Sequence, residues 1–101
     1  MKIIENKIIG DVTLNQDTEL YGMIVGSTII EENILLKLHG TITGNLILHK
    51  KSTVLHHGTV NGDVINEGGF LNIFGVVDGQ VVRKDGNTVI NSKAIIEKGL
   101  Y

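Results

Sequence analysis

The chain has 101 residues, nine of them Lys or Arg and eleven Asp or Glu, for a net charge of −2, and it holds 13 Gly but no Pro, Cys or Trp. That length supports one domain, the near-neutral charge offers no electrostatic footprint for nucleic acid, and the lack of Cys excludes a disulfide framework and a thiolate metal site. Apolar residues make up 42% of the chain and aromatics only 4%, so a core has to be built from Ile, Val and Leu.

In chain order the predicted elements are copies of one unit. Residues 4–14 carry Asn6-Lys7-Ile8-Ile9-Gly10, 18–30 carry Gly22-Met23-Ile24-Val25-Gly26, and 36–48 carry Gly40-Thr41-Ile42-Thr43-Gly44. Residues 54–66 carry Gly58-Thr59-Val60-Asn61-Gly62, 71–83 carry Gly75-Val76-Val77-Asp78-Gly79, and 88–96 hold a partial sixth copy marked by Thr88, Ile90 and Ala94. The closing Gly falls at 10, 26, 44, 62 and 79, in steps of 16, 18, 18 and 17, and each is followed by a polar residue: Asp11, Ser27, Asn45, Asp63 or Gln80. Fixed spacing of this kind is the signature of a repeat architecture.

Residues at equal offsets from these glycines are mostly aliphatic. Midway between them stand Ile8, Ile24, Ile42, Val60 and Val77, and two before the leading Gly stand Ile4, Leu20, Leu38, His56 and Ile73. Apolar positions at offsets of two are the strand signal, and no window sustains a helical period. Short strands joined at Gly corners that tolerate positive φ form one rung of a parallel β-solenoid, with successive rungs about 4.8 Å apart. The absence of Pro agrees, since an interior strand uses its N–H groups for pairing.

The expected fold is all-β: one domain over 1–101, a single-stranded right-handed parallel β-helix of five to six rungs. A left-handed helix of the hexapeptide type is the alternative. Ile24, Ile30, Leu36, Ile42, Leu48, Val54 and Val60 recur every sixth position, as it requires. Against it, the residues that follow (Val25, Glu31, Lys37, Thr43) are not small, and Leu38, Leu46 and Val64 also call for the interior.

Gly-Thr-Ile-Thr-Gly-Asn-Leu (residues 40–46) and Gly-Thr-Val-Asn-Gly-Asp-Val (residues 58–64), at this rung spacing, resemble the bactofilins, polymer-forming cytoskeletal proteins of bacteria. The likeness spans residues 4–96. It implies a triangular right-handed β-helix with an aliphatic interior that polymerises end to end without nucleotide and serves as a scaffold.

The end rungs give a separate argument for association, because a solenoid whose terminal rungs lack polar caps leaves interior side chains and strand edges open. Ile4, Ile8 and Val12 at one end, and Leu100 and Tyr101 at the other, are candidates for end-to-end contact. The C-terminal stretch either folds over the last rung or offers those two residues to a neighbour.

Two outward stacks are candidates for binding a protein. One is Ile29, Ile47, Ile65 and Val82, next to inward positions and expected to face solvent; the other is Tyr21, His39, His57 and Phe74, one before the leading Gly. His39 and His57 are expected to be rung neighbours, but no third ligand matches their offset, so no metal site is expected. His56 would point into the aliphatic interior, and a one-residue bulge that turns Leu55 inward instead is expected. No Ser, His and carboxylate combination fits the spacing, Glu31-Glu32 reads as a solvated turn, and Gly-x-x-x-Gly without a following Lys makes no phosphate cradle.

No catalytic residue and no cofactor is therefore expected. The function read from the sequence is a non-enzymatic scaffold that associates with itself into oligomers or filaments. The alternative is a small protein-binding module, such as an immunity-type toxin inhibitor, acting through an outward face. The N-terminal residues lack the apolar stretch of a signal peptide, membrane contact is not indicated, and a cytoplasmic location is the expectation.

Overall fold

The structure, a computed structural model, describes residues 1–101. Short alternating runs between corners form fifteen strands and no helix: β1 (Lys2–Ile4), β2 (Lys7–Ile9), β3 (Val12–Leu14), β4 (Thr18–Leu20), β5 (Met23–Val25), β6 (Thr28–Ile30), β7 (Leu35–Leu38), β8 (Thr41–Ile42), β9 (Leu46–Leu48), β10 (Thr53–His56), β11 (Thr59–Val60), β12 (Val64–Ile73), β13 (Val76–Val77), β14 (Val81–Ile90) and β15 (Ile95–Ile96). They wind as a β-solenoid of about six turns, and every ladder is parallel.

Three strands make a turn. The middle strands stack as a six-stranded sheet in the order β15-β13-β11-β8-β5-β2. The first and third strands join in one nine-stranded sheet, β1-β4-β7-β10-β12-β9-β6-β3 with β14 on β12, because β12 and β14 run through a corner from one turn into the next. The sixth turn runs on past residue 96: Leu100 makes an isolated parallel bridge to Val81, and the Tyr101 N–H donates to the Val81 carbonyl at 2.8 Å. The C-terminal residues thus extend the ladder instead of folding over it.

Exact register turns the repeat into columns. Ile4, Leu20, Leu38, His56, Ile73 and Ile90 form one interior column. Ile8, Ile24, Ile42, Val60, Val77 and Ile96 form a second, and Val12, Thr28, Leu46, Val64, Val81 and Leu100 a third. Leu38, Leu46 and Val64 are as fully buried as Leu36, Leu48 and Val60, so the interior takes more than one residue in six. Seventeen aliphatic side chains make the core.

His56 corrects the sequence reading. No bulge interrupts β10: Val54 and His56 pair with Leu36 and Leu38 on one side and with Leu71 and Ile73 on the other, so the imidazole points inward and is fully buried while Leu55 lies outward. A one-residue slip would bring His56 out only by exposing Val54 as well, and the register on both flanks prevents it.

The closing Gly10 and Gly26 take the positive φ expected at a corner, 119° and 155°, whereas the leading glycines serve differently. In the leading column, Gly22, Gly40, Gly58 and Gly75 have no positive φ; a Cβ on Gly40 would fall on the Gly22 carbonyl oxygen, and one on Gly58 or Gly75 on the carbonyl oxygen of the turn before. These corners are glycine because backbone stacks on backbone. Asn6, in the same column, belongs to the first turn and has no turn beneath it.

The polar residue after each closing Gly ties turn to turn. Asp11 Oδ1 accepts the Ser27 N–H at 2.8 Å, Ser27 Oγ the Asn45 N–H at 3.1 Å, Asn45 Oδ1 the Asp63 N–H at 2.9 Å, and Asp63 Oδ1 the Gln80 N–H at 2.9 Å. At another corner the buried Asn66 takes the place of Leu48 in its column. Its Oδ1 accepts from the Gly68 and Gly69 N–H, and the two hydrogens of its Nδ2 are shared among the Gly69 and Asn87 carbonyls and Thr88 Oγ1, all at 3.1 Å or less, so its amide is satisfied where the chain bends.

Candidate functional site

The outward residue just before the leading Gly repeats in a fixed place, so its rings pile up. Tyr21 and His39 stack with centroids 4.7 Å apart, His39 and His57 at 5.8 Å, and His57 and Phe74 at 4.7 Å, with planes within 11° of parallel throughout. All four side chains are exposed; Tyr21 keeps 51% and Phe74 39% of its surface. The rings use their faces on one another and turn their edges to solvent.

Glu19 anchors this column and was not singled out from the sequence. It lies on the same outward side of β4, two residues before Tyr21, where alternation along a strand brings side chains to one face. Its Oε2 accepts the Tyr21 hydroxyl at 2.8 Å and meets His39 Nε2 at 3.2 Å. The Tyr21 hydroxyl, with His39 adding to it, holds the Glu19 carboxyl below the usual carboxylate range, and the same bond raises the Tyr21 phenol.

The second stack is placed as expected but is less open. Ile29, Ile47, Ile65 and Val82 follow one another in register and are each half-buried, because each covers the next along the column, whereas Thr13 below them is exposed. It is a rib along the solenoid, outward in place and partly covered.

At the ends, the first-turn strands β1, β2 and β3 are the edge strands of their sheets, and β14 and β15 close the other end. Ile4 is buried and Ile8 and Val12 are half-buried, while Leu100 and Tyr101 keep 41% and 65% of their surface. Ten large apolar side chains are exposed, and seven of them belong to the two end turns: Met1, Ile3 and Ile9 at one, Val89, Ile95, Leu100 and Tyr101 at the other. That distribution places the apolar surface where the ladders stop.

Elsewhere the surface holds a shallow concavity lined by Thr13, Ile29, Glu31, Glu32 and His49. Glu31 and Glu32 sit there in an exposed turn, and His49 lies 3.8 Å from Glu67. No group of three or more His, Cys, Asp or Glu side chains converges to hold a metal ion, and no helix is long and apolar enough to cross a membrane. Comparison of the chain with protein-family models, with characterised proteins and with solved structures finds no match.

Proposed function

We propose that the protein is a non-enzymatic structural element, similar in kind to the bactofilins, that associates with itself through its end turns into oligomers or filaments. The observation that carries this reading is the coincidence at both ends of unpaired parallel strands and exposed apolar side chains. An exposed strand edge is a template for another strand, and burying its apolar neighbours supplies about 25 cal/mol per Å². The test is association of the purified protein at physiological salt, followed by light scattering over a wide concentration range and by negative-stain microscopy. Rods or short stacks that lengthen with concentration are expected; a monomer throughout overturns the reading.

The ring column favours one second reading, a small protein-binding module of the immunity type that docks a partner against Tyr21, His39, His57 and Phe74. Exposed aromatic side chains such as Tyr21 and Phe74 are of the kind enriched in protein–protein interfaces. A complex with a defined partner that is lost on changing His57 and Phe74 to Ser, with the fold intact, would support it.

A further inference from the structure

Resting on the end-turn reading, we infer that the contact is polar and has one register: the first turn of one copy continues the sixth turn of another, with Ile3 of the one beside Val89 of the other. The columns dictate the pairing. Ile3 heads the outward column Glu19, Lys37, Leu55, Asn72 and Val89, and its two ends are exposed aliphatic side chains. In that register the interior continues as well: Ile4 follows Ile90, Ile8 follows Ile96 and Val12 follows Leu100, completing three apolar columns that otherwise stop at the rims.

Charge agrees with that polarity at the corners, although Lys2 and Lys7 in the first turn and Glu97 in the sixth are exposed too. The rim of the first turn carries exposed Glu5 and Asp11 at its two corners, and the sixth turn carries exposed Lys93 and Lys98 at the matching ones. The matches follow from the ladders: Glu5 and Asn6 lie between residues paired with those flanking Tyr21 and Gly22, a corner that in the sixth turn is Asn91 to Ala94. Lys98 donates its N–H to the Gly79 carbonyl as Gly79 donates to Gly62, which puts it in the column headed by Gly10, beside Asp11. Stacked first turn on sixth, Glu5 and Asp11 lie at the corners that carry Lys93 and Lys98, so acid meets base at both.

Shape agrees at one corner. A side chain in the leading Gly column projects onto the preceding turn, as the crowding at Gly22, Gly40, Gly58 and Gly75 demonstrates, so the exposed Asn6 projects over the open rim. The corner it would meet is longer than the two-residue corners of the other turns: four residues, Asn91 to Ala94, separate β14 from β15. Exposed Ser92 and Lys93 turn outward, closed by an Ala94 N–H to Asn91 carbonyl bond of 3.0 Å.

The chain has no Cys, so pairing can be read by disulfide capture. Neighbours in a β column lie about 4.8 Å apart, within the Cα range a disulfide accepts. Ile3→Cys and Val89→Cys are made as separate proteins, one of them isotope-labelled, mixed under mild oxidation and resolved by mass spectrometry. Mixed-mass dimers linking the two positions are expected, with few same-mass dimers in either protein alone. In a second measurement, Glu5→Lys weakens association several-fold and adding Lys93→Glu in the same chain restores it. Wild-type association without mixed-mass capture, or with capture mainly between identical variants, overturns the polar register and leaves the end-turn reading standing. A monomer in every preparation overturns both.

Discussion

His56 stands in register with Leu38 inside the solenoid, and neither of its ring nitrogens has a hydrogen-bond partner. Burial lowers the imidazole from 6.5 to about 4, opposed by the Gly58 backbone and reinforced by His57. Below pH 6.5 the unfolded chain takes up a proton that the folded one refuses until about pH 4, so stability falls as pH falls through this window and is flat above it. The loss is of order 3 kcal/mol across the window. Denaturant unfolding at pH 7.0 and 5.0 should resolve a destabilisation of about 2 kcal/mol, and His56→Leu should reduce it. An equal slope in the variant would mean that other groups carry it.

The leading glycine column makes a sharper claim about sterics. Gly40→Ala and Gly58→Ala each drive a methyl into the carbonyl of the preceding turn, where only backbone movement can relieve it. A loss of about 3 kcal/mol or more is expected in each, read from thermal or chemical melts. Asn6→Gly, in the first-turn position of the same column, should change stability by less than about 1 kcal/mol. Similar effects at all three positions would show that turn chemistry, not stacking, sets the column.

The polar ladder predicts a graded response. Asn45→Ala strands the Asp63 N–H, which Asn45 Oδ1 now satisfies at 2.9 Å, and should cost about 1–2 kcal/mol. Asn45→Asp keeps the acceptor and should cost less. Asn66→Ala removes the acceptor of two N–H groups at a buried corner and should cost more than either. Equilibrium unfolding of the three proteins orders them, and a neutral Asn66→Ala would refute the role given to that side chain.

The strands, their parallel register and most of the core were legible because the 16- to 18-residue spacing places Leu20, Leu38 and Ile73 at one offset, and the same arithmetic aligned Tyr21 with His39, His57 and Phe74. His56 was misread because the cost of burying one imidazole was weighed locally, whereas the slip that avoids it would displace Val54 from between Leu36 and Leu71. The task of Asp11, Ser27, Asn45 and Asp63 was hidden for a related reason. Each side chain serves a backbone N–H one full turn later, a partner that no local pattern points to. Glu19 was passed over because its column neighbours, Lys37, Leu55 and Asn72, share no chemistry with it.

The ring column and the rims predict opposite mutant behaviour, which separates the two functional readings. His57→Ala and Phe74→Ala remove one ring pair at 4.7 Å, and a double-mutant cycle should give a coupling of about 0.5–1 kcal/mol in stability. Because both residues lie in the middle turns, neither change should alter self-association measured by sedimentation. Ile3→Lys and Val89→Lys place a charge on exposed end-turn positions, where surface substitution leaves the monomer within about 0.5 kcal/mol of its original stability. They should nevertheless shift association at least tenfold toward monomer. If the ring changes dissolve the assembly and the rim changes do not, the column is the contact between copies and the ends are not.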